Sequence, residues 1–124
     1  MRKVFDKQFY LLTKSEANSS EHWRIKSMRH KTQARVVWYE MISCKVAIIP
    51  PCIVKITRIS PRTLDDDNLR GALKWIRDAI ADHIHPNLAP GRADNDKNIT
   101  WQYEQERGKP QSIRIEVFQD GNYL

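Results

Sequence analysis

The stretch from Cys52 to Ile80 constrains this chain more than any other, because its apolar pattern changes period partway along. Cys52 to Ile59 reads Cys-Ile-Val-Lys-Ile-Thr-Arg-Ile and is bounded by Pro50-Pro51 and Ser60-Pro61. Its density of β-branched residues predicts a strand, since such side chains pack well on a pleated surface. The flanking prolines remove backbone donors and push the residues before them toward extended geometry. Beyond that strand, Leu69, Ala72, Leu73, Ile76 and Ile80 recur at three and four residue spacing, with Arg70, Lys74, Arg77 and Asp78 on other faces. The spacing predicts a helix over 68–84. Between strand and helix lies Asp65-Asp66-Asp67-Asn68. Asp66 or Asp67 is placed to cap the helix, accepting the free amide hydrogens of the first turn at the positive end of the helix dipole.

The remaining elements are built around that unit. Residues 4–12 are rich in aromatic and branched side chains and predict a first strand. Asn18-Ser19-Ser20-Glu21 offers a helix start. Trp23, Met28, Ala34, Val37, Trp38 and Met41 supply apolar positions for a helix over 21–43. Residues 85–93, with two prolines and a glycine, read as a loop. Residues 99–106 and 112–118 alternate apolar with polar around Arg107-Gly108-Lys109-Pro110, and predict an antiparallel hairpin with one face buried. The expected class is α+β: a small mixed sheet with a C-terminal antiparallel hairpin and two main helices. At 124 residues the natural expectation is one domain over 1–124.

Charge bears on partners. Lys and Arg number 21 against 15 acids, a formal net charge of +6, which favours a polyanionic partner. Arg24, Lys26, Arg29, His30, Lys31 and Arg35 form a basic run almost free of acids, while acids concentrate between 65 and 96. Basic residues set apart from a tight acidic knot suit a protein that holds phosphates and cuts one with a metal; a solvated helix face beside an acidic loop has the same pattern. Cys44 and Cys52 have no partner at zinc spacing and read as reduced, mostly buried thiols. No charged segment leads into an apolar one at the start, and no apolar run approaches the ~20 residues of a membrane span, so the cytosol is expected.

Asp94-Asn95-Asp96 forms a second acidic group just before the strand at Ile99. If the two strands are neighbours, the carboxylates of both groups converge at one edge of the sheet. Oxygen ligands without His or Cys suit Mg²⁺, or Mn²⁺ as a substitute. Such an ion polarises a phosphoryl oxygen, helps deprotonate an attacking water and neutralises the leaving oxygen. Each group alone is also an ordinary cap or Asx turn. A calcium loop from Asp94 fails, with Ile99 at the position that needs Gly and Gln105 where a bidentate Glu is required.

The order of motifs resembles the RusA-type Holliday-junction resolvases and their phage-borne relatives. The resemblance rests on Asp65-Asp66-Asp67-Asn68-Leu69 leading into Ala72-Leu73-Lys74-Trp75-Ile76-Arg77-Asp78, then Asp94-Asn95-Asp96 followed by Ile99-Thr100-Trp101-Gln102-Tyr103, with a weaker echo in His22-Trp23. It covers residues 20–118 and is specific over 58–106. It implies that Asp65 and Asp67 are catalytic, that Asp96 is the third aspartate, and that Asp94 stands in where Asn95 replaces a common family Asp. The metal set it implies is therefore Asp65, Asp67, Asp94 and Asp96. The family lysine falls at Gly71, leaving that role vacant or passed to Arg70 or Lys74. The resemblance further implies a homodimer that nicks opposing strands of a four-way DNA junction in recombination and repair, with the two-fold symmetry of protein and substrate matched.

Other residues carry competing readings. Trp23, Arg24, Lys26, Arg29, Lys31 and Arg70 are the candidate DNA contacts, since cations position phosphates and an exposed indole stacks on unpaired bases. Trp75 and Trp101 read as core, and Trp23 as core or base contact. His83 and His85 form an HxH pair whose spacing is wrong for one helix face. The apolar face of the 68–84 helix fits either a dimer interface or packing on the chain's own sheet.

Overall fold

The computed structural model describes residues 1–15, 20–86 and 96–120. Its elements in chain order are β1 (Arg2–Tyr10), α1 (Trp23–Met41), β2 (Cys52–Ser60), α2 (Asp66–Ile84), β3 (Ile99–Arg107) and β4 (Ser112–Gln119). The strands form one mixed sheet in the order β1-β4-β2-β3: β4 is antiparallel to both β1 and β2, and β2 is parallel to β3. The class is α+β, as the alternating periods predict. The chain closes with two strands of opposite direction, β3 and β4, but β2 is inserted between them. Residues 108–111 therefore cross the end of β2, where the Gly108 amide donates to the Ser60 carbonyl at 3.1 Å. A Cβ on Gly108 would meet Ile59 Cγ2 at 2.9 Å, so the close crossing uses the one residue without a side chain. Strand alternation fixes which face is buried; it does not fix which strand becomes the neighbour.

The strand that reads best in the sequence is central. Val54 and Ile56 of β2 join Ile113, Ile115 and Val117 of β4 in the core, and Leu69, Leu73, Ile76 and Ile80 of α2 close over them. Each such aliphatic side chain contributes roughly 1.5–3 kcal/mol on full burial. The apolar face of α2 is thus used on the chain's own sheet. Helix α1 lies beside α2, with the His30 ring stacked on Trp75 at 4.3 Å between centroids.

Four expectations are corrected. Helix α1 buries Gln33, Val37 and Met41, while Trp23, Met28 and Trp38 are exposed. Its apolar residues are scattered around the helix, and the i, i+4 row through Val37, with Val36 beside it, is what reaches the core. The helix is capped by His22, whose Nδ1 accepts from the Arg24 amide at 3.1 Å; Asn18 and Ser19 lie outside the described residues. Strand β1 begins and ends two residues earlier than its composition suggests, because its pairing with β4 runs from Arg2–Gln119 to Tyr10–Ser112. Trp75 is partly exposed, whereas Trp101 packs against the core. Cys52 is buried and Cys44 half-buried, and both are free thiols. Among the described residues no helix is long and apolar enough to cross a membrane.

Candidate functional site

The path from β2 into α2 is held by two side chains that sequence spacing does not single out. Gln105 of β3 brackets Leu64, accepting from its amide at 2.9 Å and donating to its carbonyl at 2.6 Å. The next residue, Asp65, is the cap. It has extended backbone, and its Oδ1 accepts from the Asn68 amide at 2.9 Å. The expected caps, Asp66 and Asp67, lie instead in the first turn of α2 and are exposed. A capping carboxylate has to precede the helix to reach the amides two and three residues on, so the role falls to the first aspartate. Neither Asp66 nor Asp67 makes a hydrogen bond or ion pair among the described residues. Asp66 and Arg70 face the edge of β3 across a polar cleft of about 490 Å³ that also contains Tyr103 and Glu104.

The segment after β1 is tied to the N-terminal ends of both helices. Ser15 donates to Asn68 Oδ1 at 3.0 Å, and Lys14 reaches Glu21 at 3.3 Å, one residue before the cap of α1. The candidate DNA contacts differ in availability. Trp23 is 66% exposed, with Arg24 stacked over it at 5.4 Å; Lys31 is exposed and Lys26 half-buried. On α2, Arg70 lies 5.7 Å from the Tyr103 ring and Lys74 5.2 Å from the Trp75 ring, both exposed. Arg29 is committed elsewhere: its fork holds both oxygens of Glu21 at 2.8 and 3.0 Å, and this pairing keeps the Glu21 carboxyl down at about 2. A guanidinium already neutralised by a carboxylate has little charge left for phosphates.

Asp96, the described member of the second acidic group, does not join the first group. Strands β2 and β3 are neighbours, as supposed, but they are parallel, with Cys52 beside Ile99 and Ser60 beside Arg107. Asp65–Asp67 follow the last residue of β2, whereas Asp96 precedes the first residue of β3. Helix α2 spans the gap: its 19 residues at ~1.5 Å each cover roughly 28 Å, and Asp96 sits at its far end. There His85 Nε2 meets Asp96 Oδ2 at 2.5 Å, and the Asn98 amide donates to Asp96 Oδ1 at 2.8 Å. The Asn98 amide first, and His85 second, hold the Asp96 carboxyl below its ordinary range. His85 is thus a partner of Asp96 rather than half of a metal-binding pair with His83. Asp94 and Asn95 lie outside the described residues.

Among the described residues, no three His, Cys, Asp or Glu side chains come together to hold a metal ion. Asp96 therefore does not join Asp65 and Asp67 in a shared site within one chain. A smaller set does fit Mg²⁺, which keeps several waters and takes one or two carboxylates together with substrate oxygens. Asp65, with Oδ2 outside the cap, and Asp67 supply that donor chemistry. Sequence reasoning also missed Arg58, a cation buried at the end of β2 and 5% exposed. The signal was present, since Arg58 stands between Ile56 and Ile59 in a strand most of whose other members are apolar. Comparison with protein families, curated proteins and solved structures returned no match to this chain.

Proposed function

We propose that the protein is a Mg²⁺-dependent endonuclease of the RusA type, acting on branched DNA such as a four-way junction, with its cutting site at the N-terminus of α2. The observation that carries this reading is the pair of exposed carboxylates at Asp66 and Asp67, unpartnered among the described residues, beside the capping Asp65 in a basic protein. Asp65 and Asp67 would hold the ion, which when bound polarises the scissile phosphate and acidifies an attacking water. Arg70 and Lys74, one turn apart on α2, lower the local density of negative charge and guide the phosphate backbone in. Trp23 and Arg24 offer an exposed stacking surface for an unpaired base at a branch point. As a cytoplasmic homodimer the protein would present two such sites to the two-fold junction.

A labelled junction incubated in Mg²⁺ and then in EDTA tests this. Paired nicks in metal only are expected, with Asp67→Asn lowering cleavage roughly 100-fold or more while junction binding holds or tightens, since less negative charge faces the phosphates. Equal cleavage by Asp67→Asn and wild type would refute it. The separation of Asp96 from Asp65–Asp67 favours a second reading, a structure-specific nucleic-acid-binding protein on the same scaffold. Retarded bands in both buffers with products in neither would select that reading.

A further inference from the structure

Arg58 presents a physical problem that the cutting site does not absorb. It is 5% exposed, and no carboxylate pairs with it among the described residues. Its Nε donates to Thr13 Oγ1 at 2.9 Å and its Nη1 to the Arg62 carbonyl at 2.8 Å. Both acceptors are neutral, so two of the five guanidinium N–H groups are satisfied while the charge is not. Desolvation alone pulls its pKa down, the mark of a buried cation that lacks a counterion. Buried charges in folded proteins are ordinarily paired.

What Arg58 faces is a cavity of about 380 Å³ at the C-terminal end of β2, open to solvent between the segment after β1 and the loop into α2. Lys14 and Arg62 add two more cations to its wall, and Ser60 adds a hydroxyl. The acid that pairs with Lys14, Glu21, is shared with the fork of Arg29. Gln111 also lines the cavity, and its side-chain oxygen is screened from water without a partner among the described residues. A half-turn of that amide exchanges oxygen for NH₂ and would offer donors to an anion. Leu64, on the same wall, is the residue immediately before Asp65.

We propose that Arg58 and Arg62 form a phosphate-binding pocket that seats a backbone phosphate of nucleic acid next to the acidic end of α2. The planar fork of a guanidinium matches the tetrahedral face of a phosphate, and a phosphodiester supplies the missing negative charge. That the phosphate belongs to nucleic acid rests on the proposed function; the oxyanion chemistry of the pocket does not. Bound there, a neighbouring phosphate fixes the register of the strand entering the α2 site, as contacts of this kind position substrate without reading sequence.

The test uses the full chain in EDTA, where binding is read without cleavage and a failure of the cutting hypothesis leaves the result untouched. Junction affinity is measured over a series of salt concentrations for wild type, Arg62→Gln, Arg58→Gln and Arg58→Lys, with a thermal melt of each. Arg62→Gln and Arg58→Gln are expected to weaken binding roughly tenfold, with the salt dependence falling by about one unit of slope. Arg58→Lys, which keeps charge but not the fork, should recover part of the loss. Should Arg58→Gln fail to fold, the exposed Arg62 and a phosphate titration decide. Inorganic phosphate, and not chloride at equal ionic strength, should shift the Arg58 Nε–H resonance saturably. Wild-type junction affinity in a folded Arg62→Gln would overturn the proposal. So would a phosphate-induced shift with no loss of junction binding, because the pocket would then serve a free anion.

Discussion

At Gly71 the resemblance calls for a lysine, and α2 has an exposed glycine with nothing within 4 Å of the position a Cβ would take. Glycine inside a helix costs roughly 0.5–1 kcal/mol relative to alanine, because its unfolded backbone has more freedom to lose. Gly71→Ala is therefore expected to raise unfolding free energy by about that amount, with the denaturant m-value unchanged. Gly71→Lys should keep most of the gain and place a third cation beside Arg70 and Lys74. Under the proposed function, junction cleavage rises with it. Asp65 separates the two roles of a carboxylate at a helix start. Asp65→Asn retains an oxygen for the Asn68 amide, so its melting temperature should stay near wild type, whereas Asp65→Ala should lose about 1 kcal/mol. Both remove the charge, so both should lower cleavage; Asp65→Asn cleaving as well as wild type would place the metal elsewhere.

Between elements, the edge strand β1 is tied to β4 by an ion pair. Arg114 holds both oxygens of Asp6 at 2.8 and 2.9 Å, and this fork, with help from Lys3, brings the Asp6 carboxyl down to about 2. A carboxyl whose folded pKa is depressed stabilises the protein above its unfolded value near 3.9 and loses that contribution as pH falls toward the folded value. Asp6 and Arg114 are each about a third exposed, so solvent screening keeps the effect small. Melts of wild type and Asp6→Asn should differ at pH 5 and converge toward pH 2; a constant difference across that range would show that the pair does not titrate with folding. The same scale explains what the sequence made legible. Strand β2 and helix α2 follow from local period, and Leu69, Ala72, Leu73, Ile76 and Ile80 are all buried as their spacing requires. Helix α1 was legible in extent but not in face, because Trp23 and Trp38 carry the bulk while Gln33 takes a core position and donates to the Leu12 carbonyl at 2.9 Å. The placement of β2 between β3 and β4 depends on pairings far apart in the chain, which no local pattern encodes.

That non-local order decides how the acidic groups act across the whole molecule. Two aspartate-rich motifs flanking one helix read as a single site only if the flanking strands bring them to one end. With β2 and β3 parallel, the residues after the first strand and before the second stand at opposite ends of the sheet. Within one chain Asp96 is then a structural group, closing the turn into β3 through Asn98 and joining the end of α2 through His85. Asp96→Asn is expected to leave junction cleavage within a few-fold of wild type and to lower the melting temperature, because a charge-assisted contact and a turn acceptor are weakened. Asp67→Asn should show the reverse, an intact melt with cleavage lost. If Asp96→Asn instead abolishes cleavage, mixing the two inactive variants discriminates the remaining geometry. Activity restored on mixing means that Asp96 of one copy completes the Asp65–Asp67 site of another, since a two-fold pair built from both variants retains one intact composite site. No restoration means that the loss of Asp96 acts on cleavage through the fold of its own chain, by way of the contacts with His85 and Asn98 that hold the end of α2 and the turn into β3.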